Sequence, residues 1–105
     1  MVDRDTIRQH RNELADTLQN YIIPFWLERG TDAEYGGYLT EFDDKGVFNG
    51  TGVKNIVTQA RMVWGFSALM PFAKPVHEPL MQEAARQGVT FLLDAFWDKK
   101  HGGFY

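Results

Sequence analysis

The sequence contains no cysteine among its 105 residues, which excludes disulfide bonds and thiolate metal sites. No apolar run reaches membrane-spanning length, so a membrane partner is not expected. Lys and Arg number 11 against 14 Asp and Glu, and no basic stripe of the kind that binds nucleic acid is present. The N-terminus, Met-Val-Asp-Arg-Asp, has no apolar core like that of a signal peptide. We therefore expect a cytoplasmic protein.

The first part of the chain predicts a helix from about Asp5 to Glu28, because apolar residues recur on one face. Asp3 or Asp5 is suited to cap its start, and Gly30 to end it. Pro24 lies inside the pattern and predicts a kink or restart there. The apolar face contains Ile7, Leu14, Leu18, Tyr21, Ile22 and Phe25.

A short β-hairpin is predicted after this helix. Residues 36–42 alternate in polarity after a Gly-Gly pair, and a turn sequence, Asp43-Asp44-Lys45-Gly46, follows them. The stretch 49–53 is rich in Gly and Thr and indicates a loop.

A second helix, about Asn55 to Ala73, is apolar on almost every side. A helix of this kind is surrounded by protein, so we expect an inner helix. Arg61 is the only charged residue inside it.

A third helix, about Pro79 to Trp97, has one apolar face and is expected on the outside of the fold. Its polar face contains Gln82, Glu83, Arg86, Gln87 and Asp94.

The chain contains a weak internal repeat. Phe25-Trp26 is followed by Gly36-Gly37-Tyr38, and Phe96-Trp97 is followed by Gly102-Gly103-Phe104. This indicates a repeated unit of outer helix, Gly-Gly excursion and inner helix. Residues 1–105 would then be a single incomplete domain of about one and a half units.

An ordered set of short motifs resembles the start of the N-acylglucosamine 2-epimerase family, which includes cellobiose 2-epimerases and mannose isomerases. The resemblance implies an all-α fold, the N-terminal part of an (α/α)6 barrel in which inner helices surround a sugar-binding funnel. The motifs are Phe25-Trp26, Gly36-Gly37-Tyr38, Phe42-Asp43 with Gly46, Lys54, Gln59-Ala60-Arg61 and Trp64-Gly65-Phe66-Ser67.

The resemblance also implies a chemistry that needs no cofactor or metal. A proton leaves the carbon beside the sugar carbonyl, and its return to one of two carbons gives epimerisation or aldose–ketose isomerisation. The family's arginine on an early inner helix matches Arg61, a substrate-binding residue that would stabilise the developing oxyanion. The family's acid and base histidines lie late in the chain, and His10, His77 and His101 do not match them. The 105 residues alone are therefore expected to be inactive.

Each candidate site residue has a structural alternative. Arg61 could be a buried arginine paired with a carboxylate. Trp64, three residues further on, could stack on a sugar ring as a second substrate-binding residue, or it could pack in the core. The expected partner is a small-molecule sugar, and the resemblance leaves a homodimer open.

The sequence is compatible with two other functions. One is another (α/α)6 carbohydrate-active enzyme, such as a glycoside hydrolase, which would use a pair of carboxylates. The other is a non-catalytic binding or interaction domain whose apolar helix faces dock on a partner. In isolation such faces should also make the chain associate or aggregate.

Overall fold

The computed structural model describes residues 3–105. Met1 and Val2, which belong to the N-terminus for which no signal peptide is expected, lie outside the described residues. The described chain is helical, which confirms the expected all-α class. None of its helices is both long and apolar enough to cross a membrane. The four α-helices are α1 (Arg4–Thr17), α2 (Ile23–Arg29), α3 (Ile56–Leu69) and α4 (Glu78–Ala95).

The predicted interruption at Pro24 is confirmed. A regular α-helix would need an N–H from Pro24 to the carbonyl of Asn20, and proline has none. A π-helical turn, Leu18–Ile22, joins α1 to α2 instead, and the N–H of Ile23 donates to the carbonyl of Leu18 five residues back. The first helical segment is therefore continuous but changes its winding just before the proline.

The predicted ends of the first helical segment are also confirmed. The Asp3 carboxylate accepts the N–H of Thr6 at 2.8 Å and caps α1. At the other end the N–H of Gly30 donates to the carbonyl of Trp26, and α2 stops there.

The predicted β-hairpin is present only as isolated antiparallel bridges, Thr31 with Tyr38 and Phe42 with Phe48, and residues 3–105 contain no strand. The first of these bridges closes a turn of residues 30–39, called here the first turn. Gly36 and Gly37 both have positive φ in it, 82° and 74°. This conformation interrupts extended pairing.

The core lies where α3 and α4 meet α2 and the first turn. The aromatic ring of Tyr38 stacks on that of Phe66 with centroids 5.6 Å apart, and both residues are buried. The buried stripe of α4 confirms its amphipathic character. It consists of Met81, Ala84, Ala85 and Gly88.

The expectation that α3 is surrounded by protein is wrong for the described chain. Only Gln59 and Phe66 are buried in this helix, and Trp64 is 71% exposed. The physical reason is that the first turn, α2 and α4 cover one side of α3 and no element of residues 3–105 covers the other. Helix α1 likewise buries none of its residues.

Residues 96–105, called here the second turn, repeat the backbone of the first turn. In the first turn the N–H of Asp32 donates to Gly37 at 3.0 Å, and the N–H of Gly36 donates to Asp32 at 2.9 Å. In the second turn, 66 residues later, the N–H of Asp98 donates to Gly103 and the N–H of Gly102 donates to Asp98, both at 2.8 Å. The internal similarity is therefore a similarity of hydrogen bonding as well as of sequence.

The register of the repeat differs from the one that the Phe-Trp pairs suggested. The bridge between Trp97 and Phe104 corresponds to the bridge between Thr31 and Tyr38. Trp97 thus occupies the position of Thr31, and its match to Trp26 is wrong. The hydrogen bonds of the turn fix the register, whereas an aromatic pair can pack at more than one helix position.

Candidate functional site

One face of α3 is open to solvent and contains both candidate site residues. Each of its exposed positions lies three or four residues from another, the spacing of one helix face. They form the open face of α3: Val57, Ala60, Arg61, Trp64 and Ser67.

Arg61 is exposed on this face and makes no hydrogen bond or ion pair with any residue of the described chain. The alternative of a buried arginine paired with a carboxylate therefore does not hold within residues 3–105. A guanidinium carries five N–H donors in a planar fork that suits hydroxyl, carbonyl or carboxylate oxygens. All of these donors are available to a ligand.

Trp64 lies one turn after Arg61 and is 71% exposed, so within the described chain it is not a core residue. Side chains three residues apart on a helix are neighbours, about 5–6 Å between their Cβ atoms. The indole offers a flat apolar face next to the cation. An oxygen-rich ring with an apolar C–H face, such as a sugar, fits this combination.

Gln59 fixes the rotation of α3 that leaves Arg61 exposed. It is 1% exposed, its Oε1 accepts the N–H of Tyr38 at 2.8 Å, and its Nε2 donates to the carbonyl of Tyr38 at 3.0 Å. Two helical positions correspond to about 200° of rotation, so Gln59 and Arg61 point to nearly opposite sides. The buried amide clamp on Tyr38 therefore turns the guanidinium outward.

A second glutamine clamps the neighbouring peptide of the first turn. The N–H of Gly37 donates to Gln87 Oε1 at 2.9 Å, and Gln87 Nε2 donates to the carbonyls of Gly37 and Ala84. The placement of Gln87 on the outer polar face of α4 is therefore wrong. A half-buried glutamine satisfies the backbone of a turn that forms no sheet.

Tyr38 ties the first turn to α4. Its side chain is nearly fully buried, and its hydroxyl donates to the carbonyl of Ala84 at 2.7 Å. Burial raises the pKa of Tyr38 from 10.0 to about 12, although the nearby side-chain amide of Gln87 opposes the shift. The neutral phenol is therefore the form that the fold stabilises.

We predict a loss of stability in alkaline solution that originates at Tyr38. The pKa of Tyr38 is higher in the folded than in the unfolded chain. The neutral phenol therefore contributes its full stabilisation of the fold below pH 10, and this stabilisation is lost as the pH rises towards 12. The loss should reach about 2 kcal/mol at the upper end of this range. Urea unfolding between pH 9 and pH 12 measures it. Tyr38→Phe should be less stable at pH 9 but should lack this pH-dependent loss, and an unchanged slope in that variant would contradict the assignment.

A buried ion pair joins the start of α3 to the first turn. Lys54 Nζ lies 2.6 Å from Asp32 Oδ2, and each side chain is only 9% exposed. Lys54 also lies 5.5 Å from the ring centroid of Phe91. Burial by itself raises the pKa of Asp32, but hydrogen bonds from Lys54 and from the N–H groups of Tyr35 and Glu34 outweigh it and lower the pKa.

Lys54→Met should lower the free energy of unfolding by about 2 kcal/mol at pH 7, since it leaves the Asp32 carboxylate without its cation. The folded carboxylate has the lowered pKa, so the pair stabilises the fold above the ordinary value of 3.8 and stops doing so as the pH falls below it. Urea unfolding at pH 7 and pH 2.5 should show a difference between wild type and variant that is large at pH 7 and small at pH 2.5. A difference of equal size at both values would assign the effect to packing instead.

The three histidines lie apart from the open face of α3. His10 is exposed on α1 beside Glu13, and His101 lies in the second turn beside Asp98. His77 precedes α4 as its N-cap residue. Within residues 3–105 no three His, Asp or Glu side chains are grouped to hold a metal ion.

The two glutamine clamps were not predicted from the sequence. Gln59 had a detectable signal, because it is a polar residue inside a helix that is otherwise almost wholly apolar. Gln87 had none, because it lies among the polar residues of an amphipathic helix.

Residues 37–105 match the model of the N-acylglucosamine 2-epimerase (GlcNAc 2-epimerase) family. The chain is similar to a cellobiose 2-epimerase of Bacteroides fragilis, 27% identical over 95 residues, which are 90% of this chain and 24% of that protein. It is similar to the N-acylglucosamine 2-epimerase of Bos taurus, 29% identical over 92 residues, which are 87% of this chain and 21% of that protein.

Among solved structures the chain is similar to the cellobiose 2-epimerase of Spirochaeta thermophila. The TM-score is 0.79 at 36% sequence identity, over 97% of this chain and 24% of that chain. The chain thus spans about a quarter of the length of the proteins that it matches.

Proposed function

This chain belongs to the N-acylglucosamine 2-epimerase family, and we propose that it forms the N-terminal part of a longer sugar 2-epimerase or aldose–ketose isomerase. In this proposal α3 is an inner helix of an (α/α)6 barrel, and α2 and α4 are outer helices. The open face of α3 is then one wall of the sugar site. The observation that carries the proposal is Arg61, a cation without a partner in the described chain, next to an exposed indole on that face.

Arg61 would act on the charge that develops at the sugar carbonyl. When a base takes the proton from the carbon beside the carbonyl, the electron pair moves towards the carbonyl oxygen and gives an enediolate. A guanidinium that donates to this oxygen stabilises the negative charge. Return of a proton to the opposite face of the same carbon gives the 2-epimer, and return to the neighbouring carbon gives the aldose–ketose isomer.

Proton transfer requires groups that the open face of α3 does not supply, since none of its five residues is an acid or a base suited to the task. We assign the acid and base to histidines of the longer protein. The 105 residues alone are therefore proposed to be inactive.

The absence of a carboxylate from the open face of α3 weighs against a glycoside hydrolase. Hydrolysis of a glycosidic bond uses two carboxyl groups that flank the bond. The interaction-domain alternative is supported by the exposed apolar side chains of Val57 and Trp64, which could contact a protein as well as a sugar.

Incubation of the longer protein with cellobiose, N-acetylglucosamine or mannose tests the proposal. The expected result is slow accumulation of the 2-epimer or the ketose of one of these sugars, resolved by chromatography, with no cleavage of a glycosidic bond. Release of glucose from cellobiose would favour the hydrolase. Binding without any conversion would favour a binding domain.

A further inference from the structure

The second turn presents a surface that the rest of the described chain leaves uncovered. Phe104 is 52% exposed, whereas Tyr38 at the equivalent position of the first turn is 1% exposed. The N–H groups of Gly103 and Phe104 have no acceptor within residues 3–105. In the first turn the equivalent N–H groups both donate to glutamine side chains. The two turns therefore share a backbone but differ in what covers them.

The cover of the first turn is supplied by segments that follow it in the chain. Lys54 comes 22 residues after Asp32 and pairs with its carboxylate. Gln59 comes 27 residues after Asp32 and clamps Tyr38. Gln87 comes later, on the next helix, and clamps Gly37. A Gly-Gly turn of this type is thus recognised by a cation and two side-chain amides.

We propose that the second turn is the docking surface for the helix that follows Tyr105 in the longer protein. In this proposal a cation just before that helix pairs with Asp98, as Lys54 just before α3 pairs with Asp32, and a side-chain amide on the helix binds the backbone of Phe104. By the 66-residue repeat the cation lies at about position 120 and the amide at about position 125. This inference rests on the proposal that the protein is longer than 105 residues. It does not depend on the reaction that the protein catalyses.

Asp98 is prepared for such a cation. Its Oδ1 accepts the N–H groups of Lys100 and His101, as the Oδ1 of Asp32 accepts two N–H groups in the first turn. These hydrogen bonds lower the pKa of Asp98. The Oδ2 lies 3.2 Å from the exposed His101 ring, where the first turn has the buried lysine. A lysine or arginine just before the next helix would pair with Asp98 and cover it, in place of the contact with the exposed His101 ring.

The docking surface can be tested by building its proposed occupant onto the whole chain. A copy of residues 40–72 is appended after Tyr105, because Tyr105 corresponds to Leu39 in the repeat. The copied α3 then follows the second turn at the same spacing as α3 follows the first. The matched control is the same protein with Gln59→Leu in the appended copy only.

Hydrogen exchange of the Phe104 amide, resolved by NMR, is the readout. In the 105-residue chain this amide should exchange at nearly the unprotected rate, while that of Tyr38 is slow. In the extended protein it should slow by ~100-fold, and the control should lose most of that protection.

Three results would overturn the proposal. If the Phe104 N–H is equally protected in the control, the glutamine side chain of the appended helix has no part in docking. Absence of protection in the extended protein would show that the turn does not accept this helix. Protection in the 105-residue chain that rises with protein concentration would identify a second copy of the chain as the occupant.

Discussion

Gly88→Ala should lower the free energy of unfolding by about 3 kcal/mol, the largest stability effect that we expect from adding one methyl group to this chain. A Cβ at position 88 would lie 2.1 Å from the hydroxyl oxygen of Tyr38 and 2.6 Å from the ring carbon that bears it. The ring is buried and stacks on Phe66, so it would have to move against its packing partner. Its displacement would also break the hydrogen bond from Tyr38 to Ala84.

Gly65→Ala is the matched control for this substitution. Gly65 also lies inside a helix, but a Cβ there would meet no atom within 4 Å. Alanine is about 1 kcal/mol more favourable than glycine in a helix interior, so this variant should be as stable as wild type or more stable. Urea unfolding followed by circular dichroism measures both variants.

If Gly88→Ala were also as stable as wild type, Tyr38 would not pack against α4 as closely as the structure shows. The first turn would then not be held as described. Because the turn positions Gln59 and hence α3, the orientation of the open face would have to be reconsidered.

Arg61→Ala in the longer protein should lower kcat by about 100- to 1000-fold, the range found when one donor to a developing oxyanion is removed. Its free energy of unfolding should change by less than about 0.5 kcal/mol, because Arg61 is exposed and has no partner in residues 3–105. Arg61→Lys should recover part of the rate, since an ammonium restores the charge without the fork geometry.

Arg86→Ala is the control for the loss of a surface arginine. Arg86 is exposed on α4, away from the open face of α3, and should affect neither kcat nor stability. Steady-state kinetics and thermal unfolding of the four proteins separate the roles. A loss of stability in Arg61→Ala as large as its loss of transition-state stabilisation would indicate a structural arginine.

The helices and their ends could be predicted from the sequence because their signals are local. Apolar periodicity located α1, α3 and α4, and Asp3 and Pro24 marked a cap and an interruption that the structure confirms. Each of these signals depends on residues within one or two turns of helix.

The first turn could not be predicted in the same way. Alternating polarity favoured a hairpin, but the backbone donors of Gly37 and Tyr38 find their acceptors 50 and 21 residues away, on Gln87 and Gln59. Long-range hydrogen bonds of this kind leave no periodic pattern. The exposure of α3 was missed for a related reason, because an apolar helix wheel shows that a helix can be covered and does not show by which residues.

The sequence predicted which residues belong to the candidate site but not how they are arranged in space. Arg61 and Trp64 were chosen from motifs, and the structure places both on the open face of α3. Their contact with a sugar stays a prediction. The clamp by Gln59, which sets the direction of that face, emerged only from the packing of the first turn against α3.

We propose that the open face of α3 belongs to an enzyme that removes the proton at carbon 2 of a sugar. Proton NMR of a sugar substrate incubated with the longer protein in D2O tests it most directly. We predict that solvent deuterium enters carbon 2 if the product is the 2-epimer and carbon 1 if the product is the ketose, and that Arg61→Ala slows this incorporation as much as it slows product formation. Conversion of the sugar with full retention of its carbon-2 proton at that carbon would contradict the claim.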